Sequence, residues 1–171
     1  MVEITKTQFK LRPFKDSDAV AFVAGLNTET IERDTTINLP WILDKAQWWI
    51  SFINDAANHT PISEVHFVIE INGELAGSAG IINIDGHKGE IGYWLTDNYS
   101  GAGVMTGVVA EVTKYGFEQL GLTRIFAPIL PHNKPSARVL EKNGFAMEGI
   151  LRKYYKKKNK FVDALCYAKV R

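Results

Sequence analysis

A Gly-x-Gly turn in the middle of the chain has the residue types and the spacing of an anion-binding loop. Gly101 and Gly103 follow a strand-like run and directly precede a long helical pattern that starts at Val104. Glycine lets backbone N–H groups come close to a ligand, and the first N–H groups of a helix lack intrahelical partners and carry partial positive charge. Together these features predict a cradle for a pyrophosphate group. The alternative is a strand-to-helix turn that only needs flexible residues, because Gly-x-Gly alone is a weak signal.

The candidate proton-transfer groups include a glutamate on the strand that leads into this turn. Strand periodicity places Glu90 on one face with Gly92 and Trp94. A carboxylate near a reaction centre can relay a proton through water, whereas a Glu90 that faces solvent or pairs with a basic neighbour would have no such role. His66 and His87 are weaker candidates, because His66 fits a sheet position and His87 fits a turn.

The composition is that of an ordinary globular chain. The 171 residues are 46% hydrophobic with a formal net charge of +1, which predicts one domain over residues 1–171 and excludes general disorder. The apolar runs are shorter than the roughly 20 residues of a membrane-spanning helix, and the near-neutral charge argues against dedicated nucleic-acid binding. The start of the chain shows no secretory signal, and Cys166 has no second cysteine with which to form a disulfide, so we expect a cytoplasmic location.

Hydrophobic periodicity gives the elements that must position these groups. Strand patterns cover residues 9–14, 65–71, 75–84, 90–95, 123–129, 145–155 and 161–170. Helical patterns cover residues 16–26, 45–57, 104–120 and 134–143, with a short helical turn at 29–33 and Asp44 as the expected cap of the second long helix. Short connections, among them the hairpin signal Asn72-Gly73, predict an antiparallel sheet up to residue 95. The order β-α-α-β-β-β-α-β-α-β-β indicates a mixed α/β fold, neither doubly wound nor a helical bundle.

A second group of motifs lies downstream of the turn. Asn133 and Ser136 open a helical segment, residues 140–145 end it with a Gly-Phe pair, and Glu148-Gly149 follows. Together with Glu90-Ile91-Gly92-Tyr93-Trp94-Leu95 and Ser100-Gly101-Ala102-Gly103, this set resembles the GCN5-related N-acetyltransferase (GNAT) superfamily, and within it the RimJ/RimL-like ribosomal-protein N-acetyltransferase group. The strong part of the match covers residues 74–155.

The resemblance implies a mostly antiparallel central sheet that is splayed into a V and flanked by helices. Acetyl-CoA, as co-substrate, would lie between the central strands, and no metal is implied. The backbone of Trp94 and Leu95 would pair with the pantetheine arm as an additional strand would. Asn133 would hydrogen-bond the same arm, and Ser136 would lie near the thioester sulfur.

The resemblance also assigns the pyrophosphate site to the glycine turn and the start of the helix. The residues so assigned are Gly101, Ala102, Gly103, Val104, Met105 and Thr106. The superfamily often opens this turn with Arg or Gln and closes it with Gly or Ala, whereas this chain has Ser100 and Met105 there. Because backbone N–H groups are the donors, we expect binding to survive both changes.

Two further departures concern catalysis. Leu140 stands where many members have the tyrosine that protonates the thiolate, so we assign that role to Ser136, with capping of its helix as the alternative. Tyr155 stands where RimL-like proteins can carry a glutamate base, so we assign the base to Glu90. Because both common catalytic residues are missing, a module that binds acetyl-CoA without turnover is a third hypothesis beside two enzymatic ones.

The two enzymatic hypotheses differ in the primary amine that accepts the acetyl group. A protein N-terminal α-amine is the leading acceptor, and a small amine such as a polyamine, an amino acid or an aminoglycoside is the alternative. The predicted acceptor-binding residues are Glu32, Trp41 and Tyr93. Glu32 belongs to an acidic loop for which plain solvation is the favoured alternative. Trp41, Trp48 and Trp49 lie in the segment that caps the acceptor pocket in this superfamily, although core packing is expected for at least two of them because Trp48 shares a helical face with Phe52.

The expected partners are therefore acetyl-CoA and an amine acceptor. Residues 152–160 hold six basic groups and no acid, and this predicted hairpin tip could approach RNA, an acidic protein or the cofactor phosphates, or simply aid solubility. We predict no dedicated nucleic-acid binding and no membrane association. A homodimer through the closing strands or the second helix is compatible with the sequence.

Overall fold

The computed structural model describes residues 3–5, 8–56 and 60–171. Within them, eight strands form one sheet: β1 (Ile4–Thr5), β2 (Lys10–Arg12), β3 (Val65–Ile71), β4 (Glu74–Asp85), β5 (Lys88–Leu95), β6 (Arg124–Ile129), β7 (Ala146–Lys157) and β8 (Lys160–Val170). The helices are α1 (Ala19–Leu26), α2 (Glu29–Asp34), α3 (Leu43–Ala56), α4 (Val104–Glu118) and α5 (Lys134–Lys142). The strand order is β1-β2-β3-β4-β5-β6-β8-β7, which confirms the mixed α/β class with a mostly antiparallel sheet.

One pair of neighbouring strands in the sheet is parallel. All the other strand pairs are antiparallel, whereas β5 pairs with β6 in parallel at Lys88, Gly89 and Glu90. Parallel neighbours need a crossover connection, which α4 supplies. The chain therefore leaves β5, turns at the glycines and enters α4 beside the point where the sheet changes direction.

The helices cover both faces of the sheet, which gives two clusters of buried side chains. Alternate residues of β3 belong to different clusters: Phe67 and Ile69 pack towards α4 and α5, whereas Val68 packs towards α1 and α3. This alternation explains why β3 is apolar on both faces. The cluster under α1 and α3 also contains Trp94, the residue that the sequence places near the candidate site.

A buried ionic network joins β2 to the turn before α1. Arg12 is 5% exposed and donates two hydrogen bonds to Asp18, at 2.8 and 2.9 Å, and a third to Glu70. Burial by itself would raise the pKa of Asp18, but the hydrogen bonds from Arg12 and from the Lys15 N–H outweigh it and hold that pKa below its ordinary value. The network fixes the first helix, which forms one wall of the site.

The structure corrects the expectations for α3. The helix begins at Leu43, so Asp44 lies in its first turn and is not its cap, and Ala57, the expected last residue, lies outside the described residues. Trp48 and Phe52, which share the expected apolar side, are 65% and 46% exposed. Core packing of at least two of the three tryptophans is confirmed, by Trp41 and Trp49. The buried stripe instead follows Ala46, Ile50 and Ile53, at the spacing of successive helical turns. None of the helices in the described part of the chain is both long and apolar enough to cross a membrane.

Candidate active site

The candidate site is a split in the sheet between β5 and β6. The two strands pair only as far as Glu90 and Phe126, so the β6-facing edge of β5 beyond Glu90 is free of strand pairing among the described residues. Two cavities occupy this split. The turn cavity, of about 570 Å³, lies at the glycine turn, and the inner cavity, of about 300 Å³, lies under α1 and α3. Residues that line both are Asp34, Thr35, Tyr93, Trp94, Asn133 and Ser136.

The turn cavity is built on backbone that only glycine adopts easily. Gly101 and Gly103 have φ angles of +82° and +80°, and no heavy atom lies within 4 Å of a Cβ built on either residue. Gly103 directly precedes α4 and has no side chain to accept hydrogen bonds from the first N–H groups of the helix. Those donors and the bare turn suit a bound phosphate, and the free edge of β5 suits an extended ligand that pairs as a strand does.

Most of the predicted cofactor-binding residues lie around the turn cavity. Those that line it are Trp94, Leu95, Gly101, Gly103, Val104, Met105, Thr106, Asn133 and Ser136. Ala102 is exposed and does not line it. The structure adds three basic residues that the sequence analysis missed, Arg33, Arg138 and Lys142. Arg138 and Lys142 are four residues apart on α5, a spacing that places them on one helix face and that could have revealed them.

The two cavities meet at a pair of hydroxyl groups. The Oη of Tyr93 lies 2.8 Å from the Oγ of Ser136, and either hydroxyl can donate. Burial raises the pKa of Tyr93 to about 12, although the hydrogen bond with Ser136 opposes the rise. Ser136 does not cap its helix, because the Oδ1 of Asn133 accepts from the Ser136 N–H at 3.1 Å and performs that function. The Ser136 hydroxyl is therefore held at the junction by a residue of β5.

Asn133 also connects α5 to the last residue of α2. Its Nδ2 donates to the Asp34 carbonyl oxygen at 2.9 Å while its Oδ1 caps the helix. The predicted hydrogen bond from Asn133 to the cofactor arm would have to use the donor and acceptor capacity that these two bonds leave free.

Glu90 lines the inner cavity, as its position on the strand predicts. The carboxylate accepts a hydrogen bond from the Nδ2 of Asn83 at 3.1 Å. The donor in this bond is a neutral amide and not a basic side chain. Burial raises the pKa of Glu90 above its ordinary value, and the bond from Asn83 opposes this only in part. A carboxylate with a raised pKa is a stronger base than one in water. Tyr155, the other position in question, also lines the inner cavity and donates to the Pro128 carbonyl oxygen at 3.0 Å.

The walls of the inner cavity are aromatic and acidic. The rings of Phe22, Trp41, Trp49 and Trp94 line it. The ring centroid of Phe22 lies 5.0–5.7 Å from the centroids of the other three rings. The charged residues among the described ones that line it are Asp34 and Glu90, with His66 as an ionisable neighbour. Such a cavity favours a cationic or amine ligand beside apolar groups.

Glu32, the third predicted acceptor residue, lies outside both cavities. Its carboxylate pairs with the Nζ of Lys158 at 2.6 Å. The neighbouring Lys157 donates to the carbonyl oxygens of Arg33 and Thr35, both at 2.8 Å. The basic hairpin tip thus packs on the end of α2 and on Thr35, which lines both cavities, a contact that the sequence analysis did not foresee.

The fold and the site together define a mixed α/β protein in which a groove at a glycine turn and a helix start continues into a second, aromatic cavity. Residues 8–146 match the family model described as "Acetyltransferase (GNAT) domain". Because that match covers most of the chain, the protein belongs to the GNAT acetyltransferase family.

Individual proteins agree with this assignment. The chain is 33% identical over 128 residues to the uncharacterized N-acetyltransferase p20 of Bacillus licheniformis, covering 74% of this chain and 72% of that protein. It is 30% identical over 91 residues to the spermidine N(1)-acetyltransferase of Escherichia coli (strain K12), covering 52% of this chain and 49% of that protein.

Two solved structures share the fold over most of their length. Mycobacterium smegmatis RimJ in complex with CoA-disulfide has a TM-score of 0.87 and 28% identity, covering 95% of this chain and 81% of that one. The ribosomal-protein-S5-alanine acetyltransferase from Vibrio fischeri has a TM-score of 0.90 and 24% identity, covering 99% and 97%. These matches confirm the resemblance to the GNAT superfamily and to its RimJ/RimL-like group.

Proposed function

We propose that this acetyltransferase moves the acetyl group of acetyl-CoA directly onto a primary amine in the cytoplasm, and that a protein N-terminal α-amine is its acceptor. The observation that carries the proposal is the continuity of the two cavities at Tyr93 and Ser136. Bound acetyl-CoA supplies an activated thioester. In the proposed arrangement, the glycine turn holds its phosphates, the free edge of β5 aligns its arm, and the acceptor amine enters from the inner cavity.

Glu90 is the proposed proton acceptor. At pH 7 deprotonation of an α-amine, whose pKa lies about one unit above the pH, costs roughly 1.4 kcal/mol. Deprotonation of a lysine ε-amine, whose pKa lies over three units above the pH, costs roughly 4–5 kcal/mol. A single half-buried carboxylate with a raised pKa, acting directly or through water, meets the smaller demand more easily. The α-amine is for this reason the preferred acceptor.

Ser136 is the proposed donor to the leaving sulfur, and Tyr93 orients it. A tyrosine with a pKa of about 12 that protonated a thiolate of ordinary pKa would transfer the proton uphill by about 3.5 units, or about 4.8 kcal/mol. Full protonation from this pair is therefore unfavourable. The pair acts instead by a hydrogen bond that strengthens as negative charge develops on the sulfur, and solvent completes the protonation.

The test begins with isothermal titration of the purified protein with acetyl-CoA, with ATP and NAD as controls. Micromolar or tighter binding to acetyl-CoA alone is expected. Acetylation of peptides with free N-termini is then followed by mass spectrometry, with N-terminally blocked peptides of the same sequence as matched controls. Transfer to the free α-amine supports the proposal, and the absence of acetyl-CoA binding or of transfer overturns it.

A small amine is the second candidate acceptor, and one observation favours it. The inner cavity is small, about 300 Å³, and its lining includes the acidic residues Asp34 and Glu90, which suits a compact cationic ligand. One relative is named for its action on spermidine. Spermidine and the free peptides compete in one reaction, and a higher kcat/KM for spermidine would replace the first acceptor by the second.

A further inference from the structure

A strip of sheet without side chains at its two glycines runs across the inner cavity, from Gly92 of β5 to His66 of β3. His66 of β3 pairs with Gly80 of β4, and Gly80 pairs with Gly92 of β5, so the three residues form one row across the strands. All three line the inner cavity. Neighbouring strands are about 4.8 Å apart, so this row extends about 9.6 Å from β5 to β3.

The two glycines keep the strip clear for different reasons. A Cβ on Gly80 would lie 2.4 Å from the Val65 carbonyl oxygen, so a side chain there would collide with the neighbouring strand. A Cβ on Gly92 would meet no heavy atom within 4 Å and would project into empty space. Packing therefore requires glycine at position 80 but not at position 92, where the missing side chain leaves room for a ligand.

His66 is held in one orientation at the far end of the strip. Its Nε2 lies 2.6 Å from the Oε2 of Glu64, and the two side chains are 14% and 22% exposed. The ring meets Trp49 edge to face with centroids 5.0 Å apart. The hydrogen bond from His66 holds the pKa of Glu64 below its ordinary value, so Glu64 is an ionised acceptor and Nε2 carries the hydrogen. The other ring nitrogen, Nδ1, lies over Gly80, 3.1 Å from where a Cβ would be, and it is an acceptor in the neutral tautomer that carries its hydrogen on Nε2.

We propose that the His66–Glu64 pair is a distal acceptor subsite, which binds a hydrogen-bond-donating group, most favourably a cation, about 10 Å from the reacting nitrogen. This inference rests on the proposed function and specifies its substrate class. Glu90 also lines this cavity, whereas Asp34, another lining residue, has its carboxylate paired with Arg33 at 2.7 Å; the other ionisable lining residues, Tyr93 and Tyr155, are neutral phenols because burial raises their pKa values. An extended peptide covers about 10 Å in three residues, so the subsite reads a side chain within the first three residues of a protein acceptor.

The test uses peptides with free N-termini that differ only in lysine, norleucine or glutamate at one of the first three positions. Norleucine keeps the length of lysine without its charge. For the wild type we expect kcat/KM to be about tenfold higher for lysine than for norleucine at one position or more, and glutamate to be the poorest. A tenfold ratio is the size expected of a hydrogen bond to a charged group.

Variants separate this role from a structural one. In His66→Phe, which keeps a ring against Trp49, the lysine-to-norleucine ratio of kcat/KM should fall to about one; the ratio is the readout, because a general structural defect would lower kcat/KM for both peptides alike. His87→Phe is the matched control, because His87 is exposed in a turn away from the cavity, and it should keep the wild-type ratio. Glu64→Gln, which retains the volume and removes the charge, should lower the ratio as well and provides a second variant if His66→Phe does not fold.

The outcomes distinguish the two proposals. Peptide acetylation with a lysine preference that His66→Phe removes supports the subsite. Acetylation without any lysine preference, or with a preference that persists in His66→Phe and Glu64→Gln, overturns the subsite and leaves the proposed function intact. If the wild type acetylates no free N-terminus, the proposed function fails and the subsite fails with it.

Discussion

The hydroxyl pair at the junction of the cavities leads to a quantitative prediction about Ser136 and Tyr93. Ser136 is 8% exposed and receives the 2.8 Å contact from Tyr93. If Ser136 donates to the leaving sulfur and Tyr93 only orients it, the two residues act in series. Ser136→Ala should remove the whole effect, and Tyr93→Phe should remove only the part that orientation contributes.

The magnitudes follow from the kind of hydrogen bond that each variant loses. A hydrogen bond to a charged group contributes about 1.5–3 kcal/mol, so Ser136→Ala should lower kcat/KM about 10- to 150-fold. A neutral hydroxyl pair contributes about 0.5–1.5 kcal/mol, so Tyr93→Phe should lower kcat/KM about 2- to 12-fold. The double variant should equal Ser136→Ala alone, because Tyr93 has nothing to orient once the serine hydroxyl is gone.

The assay measures thiol release at saturating and limiting acceptor, with acetyl-CoA affinity and thermal unfolding recorded for each variant. Unchanged affinity and a melting temperature within a few degrees of the wild type would assign the loss to the chemical step. Losses that multiply in the double variant would refute the series arrangement. A larger loss in Tyr93→Phe than in Ser136→Ala would make Tyr93 the donor itself.

Three further predictions concern the base, the cradle and the buried network. Glu90→Gln should lower kcat/KM about 10²- to 10⁴-fold. Because the pKa of Glu90 is raised in the folded state, the stability of the wild type should fall as pH rises above 4.5, and thermal melts at a series of pH values should show a smaller fall for the variant. Gly103→Ala should weaken acetyl-CoA binding about tenfold by titration, whereas Gly86→Ala, with φ of +58° against +80° at Gly103, should cost similar stability and leave affinity unchanged. Asp18→Asn should lower the free energy of unfolding by about 1–3 kcal/mol in urea at neutral pH; because the pKa of Asp18 is lowered from 3.8, the wild type should lose this stabilisation only as pH falls below 3.8. A stability that is flat with pH, equal affinities of the two glycine variants, or a neutral Asp18→Asn would each contradict the corresponding argument.

The parts of the site that the sequence could predict depend on local signals. Gly101 and Gly103 lie where positive φ angles are needed, and α4 begins at Val104 as expected, because glycine and helical periodicity act within a few residues. Strand alternation likewise placed Glu90 and Trp94 on one face, and both line the inner cavity. The predicted functional roles of these residues remain to be tested by the variants above.

The parts that the sequence could not predict are contacts between distant segments. Glu32 pairs with Lys158, and Tyr93 contacts Ser136; no periodicity relates residues so far apart in the chain. Which tryptophans pack in the core could not be predicted for a different reason: Trp41 and Trp49 do, whereas Trp48 is exposed. Its spacing from Phe52 identifies a shared helix face, but only the packing of α3 on the sheet decides which face is covered.

The position of the site follows from one topological feature, the parallel pairing of β5 with β6. An antiparallel neighbour could have followed β5 through a short turn, whereas a parallel one requires a crossover helix. The N-terminus of that helix must then lie at the end of β5, where the pairing with β6 has already stopped at Glu90. A helix start with free N–H donors, a strand edge without a paired neighbour and a carboxylate at the last paired position therefore arise together. Open α/β sheets bind ligands where neighbouring connections diverge, and the candidate site of this mixed sheet lies at the corresponding place, beside the parallel pair of its described strands.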